Sequence, residues 1–123
     1  MTDVLYKDLS YEIISAVFEV HNILGPGFLE KVYEKALLKE LALRGVQVEA
    51  QKEIKVFYKE QDVGVYYADL VVYDVILLEL KAVESLTNFH KAQVLNYLKA
   101  TGLKLGLLIN FGKDRVESIR LVV

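Results

Sequence analysis

The chain predicts a mixed α/β domain, a central sheet with helices packed against it. Three observations carry that expectation. Apolar residues recur at helical spacing over 8–23, 28–44 and 87–101. The period shifts toward two from Val46 onward. The resulting order, α-α-β-β-β-α-β-β, mixes the two kinds of element within a chain of 123 residues, most simply one domain over 1–123 with one substantial core.

In the first segment Leu9, Ile13, Ile14, Val17, Phe18 and Val20 set the helical stripe. "LGPG" at 24–27 ends it, because glycine supplies unusual dihedrals and proline stops propagation. The second helix turns Leu29, Val32, Tyr33, Ala36, Leu37 and Leu43 inward, with Gly45 as its cap. "VQVEAQKEIKVFY" alternates in part and predicts extended chain with an irregularity near Ala50–Lys52. "KEQDVG" at 59–64 is a polar turn, and "VYYADLVVY" with "VILLELKA" forms a hairpin across Tyr73–Val75. Over 87–101 the stripe is Phe89, Ala92, Leu95 and Leu98, closed by Gly102. "LKLGLLINF" and "RVESIRLVV" are the last two strands, joined by a "GKD" turn.

Composition excludes several classes. A net charge of −2 and a pI near 5.7 provide no global positive field for nucleic acid, so binding of that kind needs a local basic patch. With no cysteine there is neither disulfide nor thiolate chemistry. The opening "MTDVLYKDLSYEII" has early acids and no apolar core of a secretory signal, and no apolar run approaches a bilayer span. A cytoplasmic protein without membrane association is the expectation. The apolar class, 54% of residues, and a mean hydropathy of +0.28 leave surface for a partner, most simply a second copy in a homodimer.

One stretch resists a purely structural account. In "DLVVYDVILLELKA" the charges Asp69, Glu79 and Lys81 interrupt an apolar run, although an isolated buried ion costs several kcal/mol or more. A three-residue turn at Tyr73–Val75 places Asp69 across from Glu79 and Tyr67 across from Lys81, and alternation puts Glu79 and Lys81 on one face. Opposed carboxylates call for a positive charge between them. Lys81 is one candidate, and a divalent cation with oxygen ligands is a stronger one. From E-x-K alone, decoration of a half-exposed strand is the simpler reading.

The surrounding motifs add to this. "GFLEKVY" (Gly27, Glu30, Tyr33) resembles the GxxExxY signature of a family of small bacterial and archaeal proteins. "GPG" precedes it, Asp69 stands ahead of "ELK", "QVLNYL" follows, and "GLLINFG" lies near the C-terminus, so the similarity runs from about residue 8 to 121. That family is placed in the PD-(D/E)XK nuclease-like superfamily. The resemblance implies a restriction-endonuclease-like core, a mixed sheet flanked by helices. It implies that Asp69 is the first metal-binding acid and that Glu79 and Lys81 are the (D/E)-x-K pair, with Leu80 lending its backbone carbonyl to the metal. Glu30 matches the extra acid from the first core helix, and Gln93 with Tyr97 matches a "QxxxY" found beside the site in related nucleases. Ala68 stands where the proline of the motif would be.

The implied activity is a Mg²⁺- or Mn²⁺-dependent nuclease hydrolysing phosphodiester bonds, with DNA the expected partner. Such a metal polarises phosphate and lowers the pKa of water. Lys81 would orient or deprotonate that water, or stabilise developing charge, and Gln93 would position water or a phosphate oxygen. Two rivals stand beside it: a non-catalytic nucleic-acid- or protein-binding module on the same fold, and a structural ion pair of Glu79 with Lys81. Tyr33 is expected in the core, His21 at a helix C-terminus favoured by the dipole, and His90 on the surface.

Overall fold

A computed structural model describes residues 6–123. Residues 1–5, which carry part of the reasoning against a secretory signal, lie outside the described residues. The elements follow in the order α1 (Lys7–Leu24), α2 (Glu30–Leu43), β1 (Val48–Tyr58), β2 (Gln61–Val72), β3 (Ile76–Lys81), α3 (Asn88–Thr101), β4 (Leu105–Asn110) and β5 (Glu117–Val122). The five strands form one sheet in sequential order. β3 and β4 are parallel and every other pair is antiparallel. The parallel pair requires a crossover, which α3 supplies.

Alternation along the strands divides the core in two. Leu70, Val72, Leu78, Leu80 and Leu107 pack with Ile13 and Val17 of α1 and Leu37 and Leu41 of α2. On the opposite face Val71, Leu77 and Leu108 pack with Val94, Tyr97 and Leu98 of α3. Buried on both faces, β3 and β4 read as continuous apolar runs, as central strands do.

Helix phases differ from the expected ones. In α2 the buried stripe is Tyr33, Glu34, Leu37 and Leu41, whereas Leu29, Val32 and Leu43 are exposed. In α3 it is Val94, Tyr97 and Leu98, leaving Phe89 81% exposed and Ala92 exposed as well. Phe18 of α1 also faces outward. Contact with the sheet sets the phase, and these helices carry more apolar residues than that contact can cover. The polar turn at 59–64 is also narrower than expected. Lys59 and Glu60 alone turn the chain, both at positive φ, and Tyr58 pairs with Gln61. Gly64 stands instead where the β1–β2 register shifts, its N–H bonded to Asp62.

The irregularity expected at Ala50–Lys52 is Gln51, in the left-handed region at φ 53°. Residues an even number apart share a face of a regular strand. Here Ala50 packs with the α1/α2 core while Ile54 packs with the α3 core. On β2, Leu70 (opposite Ala50) packs with the α1/α2 core and Ala68 (opposite Lys52) with the α3 core, although they too are two residues apart. The β1–β2 ribbon therefore exchanges its faces at Gln51, and Asp69 stands at that break.

Candidate active site at the split between β2 and β3

The β2–β3 ladder pairs Val72 with Ile76, Val71 with Leu77 and Leu70 with Leu78, and ends there. On the next rung Asp69 and Glu79 replace the backbone pairing with side chains. Glu79 Oε1 accepts the Asp69 N–H at 3.2 Å. Asp69 Oδ2 accepts the Leu80 N–H at 2.8 Å. Each carboxylate thus ties itself to the other's strand while the strands part. Among the described residues Asp69 Oδ1 and Glu79 Oε2 accept no hydrogen bond, and neither is sealed from solvent. Tyr67 does not reach Lys81; it pairs with Glu53 on β1 and is exposed.

Electrostatically the pair is short of positive charge. Burial and then the adjacent Asp69 charge push the Glu79 carboxyl up to about 8, and the Asp69 N–H and Lys81 oppose this only in part. Burial also raises Asp69 against the Leu80 hydrogen bond, and Glu34 and Glu30 add to the rise. Lys81 favours the charged form of both acids from a distance, forming no ion pair among the described residues. Tyr97 is raised by burial and then by the charge of Glu79, which places its hydroxyl near the acids. Gln93 Nε2 donates to that hydroxyl at 3.2 Å. Asp69, Glu79, Lys81, Gln93 and Tyr97 therefore gather in one region.

Glu30, the first residue of α2, is exposed but close enough to act on both acids. One turn on, Glu34 is buried. It accepts from Gln51 and lies 3.1 Å from Lys31 Nζ. Sequence reasoning missed Glu34, though a signal was present: a glutamate four residues after Glu30, on the stripe of Tyr33, Leu37 and Leu41.

The other motif residues brace this region. Tyr33 is fully buried, donates to the Gly25 carbonyl at 2.6 Å and accepts the Phe28 N–H at 3.2 Å. Its ring stacks on Phe111 with centroids 4.6 Å apart. His21 stacks on the far side of the cluster, 6.2 Å from Phe111, and its Nε2 bonds the Lys113 carbonyl at 2.8 Å. His21 is thus a buried bridge rather than only a helix-end charge. Together these contacts fix where α2 starts and hence where Glu30 stands. Asn110, also missed, is fully buried beside Lys81 in the β3–β4 register. It accepts the N–H of Val83 and of Gly112, and donates to Val83 O and Glu117. Gly112 is required there, since a Cβ would stand 2.4 Å from the Val83 carbonyl oxygen. His90 caps α3, exchanging hydrogen bonds with Thr87.

Among the described residues no three His, Asp or Glu side chains form a ready metal-binding group. The donors that exist are nevertheless suited to a hard cation. Two carboxylates present free oxygens to solvent, and Mg²⁺ is commonly held by one or two carboxylates with waters completing its shell.

A five-stranded mixed sheet flanked by helices, with an acidic pair at the end of a central strand, is a restriction-endonuclease-like fold. Residues 7–122 match the family model of the PD-(D/E)XK nuclease superfamily, and the chain belongs to that superfamily. Among solved structures it is similar to SSO0001, with a TM-score of 0.60 and 23% identity, over 95% of this chain and 59% of that one. The chain thus spans somewhat over half the length of that protein, and the likeness is one of fold. A comparison with curated proteins gives no match. No helix among the described residues is long and apolar enough to cross a membrane.

Proposed function

We propose that this domain is a divalent-metal-dependent phosphodiesterase acting on nucleic acid, DNA foremost. The observation that carries the proposal is the rung where a buried carboxylate, Glu79, and a half-buried one, Asp69, each bond the opposite strand through one oxygen and leave the other within reach of solvent. Two such acids with one distant lysine are a poor structural ion pair, because burial without neutralisation is unfavourable. Asp69, Glu79 and the Leu80 carbonyl would hold Mg²⁺ or Mn²⁺, which when bound supplies Lewis acidity toward phosphate and a more acidic water.

The chain's own groups divide the remaining work. The Lys81 ammonium, carried at the end of β3 opposite Asn110 in the strand register, stabilises negative charge growing on the phosphate or orients the attacking water. Gln93, with the Tyr97 hydroxyl occupying one of its amide hydrogens, offers its other polar atoms to water or a phosphate oxygen. Glu30, exposed at the start of α2 and acting electrostatically on both acids, would be a further oxygen donor to the hydration shell of the cation.

The test is cleavage of labelled single- and double-stranded DNA and RNA with Mg²⁺ or Mn²⁺, by wild type and Asp69→Ala. The proposal expects metal-dependent cleavage of at least one substrate and its loss in the variant. No cleavage of any substrate, or equal cleavage by both proteins, contradicts it.

A further inference from the structure

A groove of about 740 Å³ opens between α3 and the β1–β2 ribbon, with Gln93 and Tyr97 in its lining. The misphased face of α3 accounts for it. Phe89 projects into the groove instead of the core, facing Phe57 and Tyr66 across it, with Tyr97 at its base. Phe57, Tyr66 and Phe89 are 61%, 52% and 81% exposed, which is unusual for three large rings around one depression. Tyr66 and Tyr97 lie 5.7 Å apart by ring centroid, and Tyr97 in turn feels the charge of Glu79 and Asp69. Gln93 and Tyr97, which line the groove, are thus the residues that link it to the acidic pair.

Its charge is distinctive. In a chain of net charge −2, the only charged residues lining the groove among the described residues are Lys55 and Lys99. Lys55 also lies 3.9 Å from Glu53 on its own strand, an exposed contact that a phosphate can replace. Aromatic faces between lysines are the chemistry that takes unpaired bases and their backbone. A duplex cannot use these rings, because its base faces are already stacked on each other and only edges and backbone remain outside.

We propose that this groove binds single-stranded nucleic acid, its bases stacking on Phe89, Tyr66 and Phe57 and its phosphates lying along Lys55 and Lys99, so that one strand is led to the acidic pair. This specifies the substrate for the function proposed above and rests on that reading. Binding itself needs neither metal nor cleavage.

The experiment is fluorescence anisotropy in EDTA with a labelled oligothymidylate 12-mer, an abasic strand of equal length and a blunt duplex. The oligothymidylate should bind at least about tenfold more tightly than either of the others. Phe89→Ala and Tyr66→Ala should each weaken it by roughly 5- to 100-fold, the scale of one lost base stack. Phe89→Trp should restore binding. Lys99→Ala should reduce the salt dependence by about 0.7 in log–log slope, one phosphate on a single strand. Circular dichroism melting checks that each variant is folded. Equal or tighter binding of the duplex or the abasic strand overturns the proposal. So does an unchanged affinity in folded Phe89→Ala and Tyr66→Ala, or no binding of any oligonucleotide. If duplex is cleaved at full rate by the groove variants, the groove assignment fails while the phosphodiesterase stands. If the groove binds as expected but nothing is ever cleaved, the phosphodiesterase alone fails.

Discussion

Glu79→Gln should remove most of the loss of folding stability that the metal-free protein suffers as pH rises. In the folded chain, burial and Asp69 push this carboxyl from 4.5 to about 8. Below the unfolded value both states hold the proton. Between the two values only the folded state holds it, so the stability contribution present at low pH is lost as pH rises toward 8. At about 1.36 kcal/mol for each tenfold change in proton affinity, the full window withdraws on the order of 4–5 kcal/mol. That is a large share of the roughly 5–15 kcal/mol of an ordinary domain. Asp69, raised in the same sense, adds to the slope. Glutamine keeps an oxygen to accept the Asp69 N–H and removes the charge. Urea unfolding at pH 5, 7 and 9 with a chelator present gives the difference between the two proteins, which cancels the titrating groups that do not interact with Glu79 and retains the Asp69–Glu79 interaction. Wild type should fall behind the variant progressively, by several kcal/mol at pH 9. Parallel stability profiles would refute the charge deficit on which the metal assignment rests.

Lys81→Ala should leave divalent-metal binding intact or slightly tighter, because a nearby positive charge is gone. Its cleavage rate should drop by about 10²-fold or more on the substrate that wild type cuts, and unchanged cleavage would remove Lys81 from the reaction. Tyr33→Phe keeps the stack on Phe111 but loses the bonds to Gly25 and Phe28. It should cost about 1–2 kcal/mol by urea unfolding, and no loss would mean that the hydroxyl does not hold the start of α2.

Much of this arrangement is readable from local pattern. A short turn and strict alternation determine register, so the turn at Tyr73–Val75 already implies that Asp69 and Glu79 share a rung, which in the structure follows the last backbone pair, Leu70 with Leu78, and is joined through side chains. The helices and strands announce themselves by period and by their glycine stops. What escapes is the phase of a helix richer in apolar residues than its contact face, as Leu29, Val32 and Phe89 illustrate. Buried polar residues also escape when their partners are distant in sequence. Glu34 accepts a hydrogen bond from Gln51, whose backbone is left-handed within β1, and Asn110 bonds the Val83 backbone. Nothing local distinguishes that asparagine from one at an exposed strand end. The exposed ring of Phe89 is the instructive error, because the residue that a helical stripe assigns to the core instead lines the groove.

The central claim is that Asp69 and Glu79 together hold a divalent cation, and titration calorimetry with Mn²⁺ at pH 7 tests it most directly. Repeating the titration in buffers of different ionisation enthalpy counts the protons released on binding. Glu79 at about 8 is largely protonated at that pH, and a ligating carboxylate must give up its proton, so about one proton should leave per Mn²⁺ bound. The Asp69→Asn/Glu79→Gln double variant should show neither the binding nor the release. Mn²⁺ binding that persists in the double variant, or that releases no proton from wild type, would contradict the account.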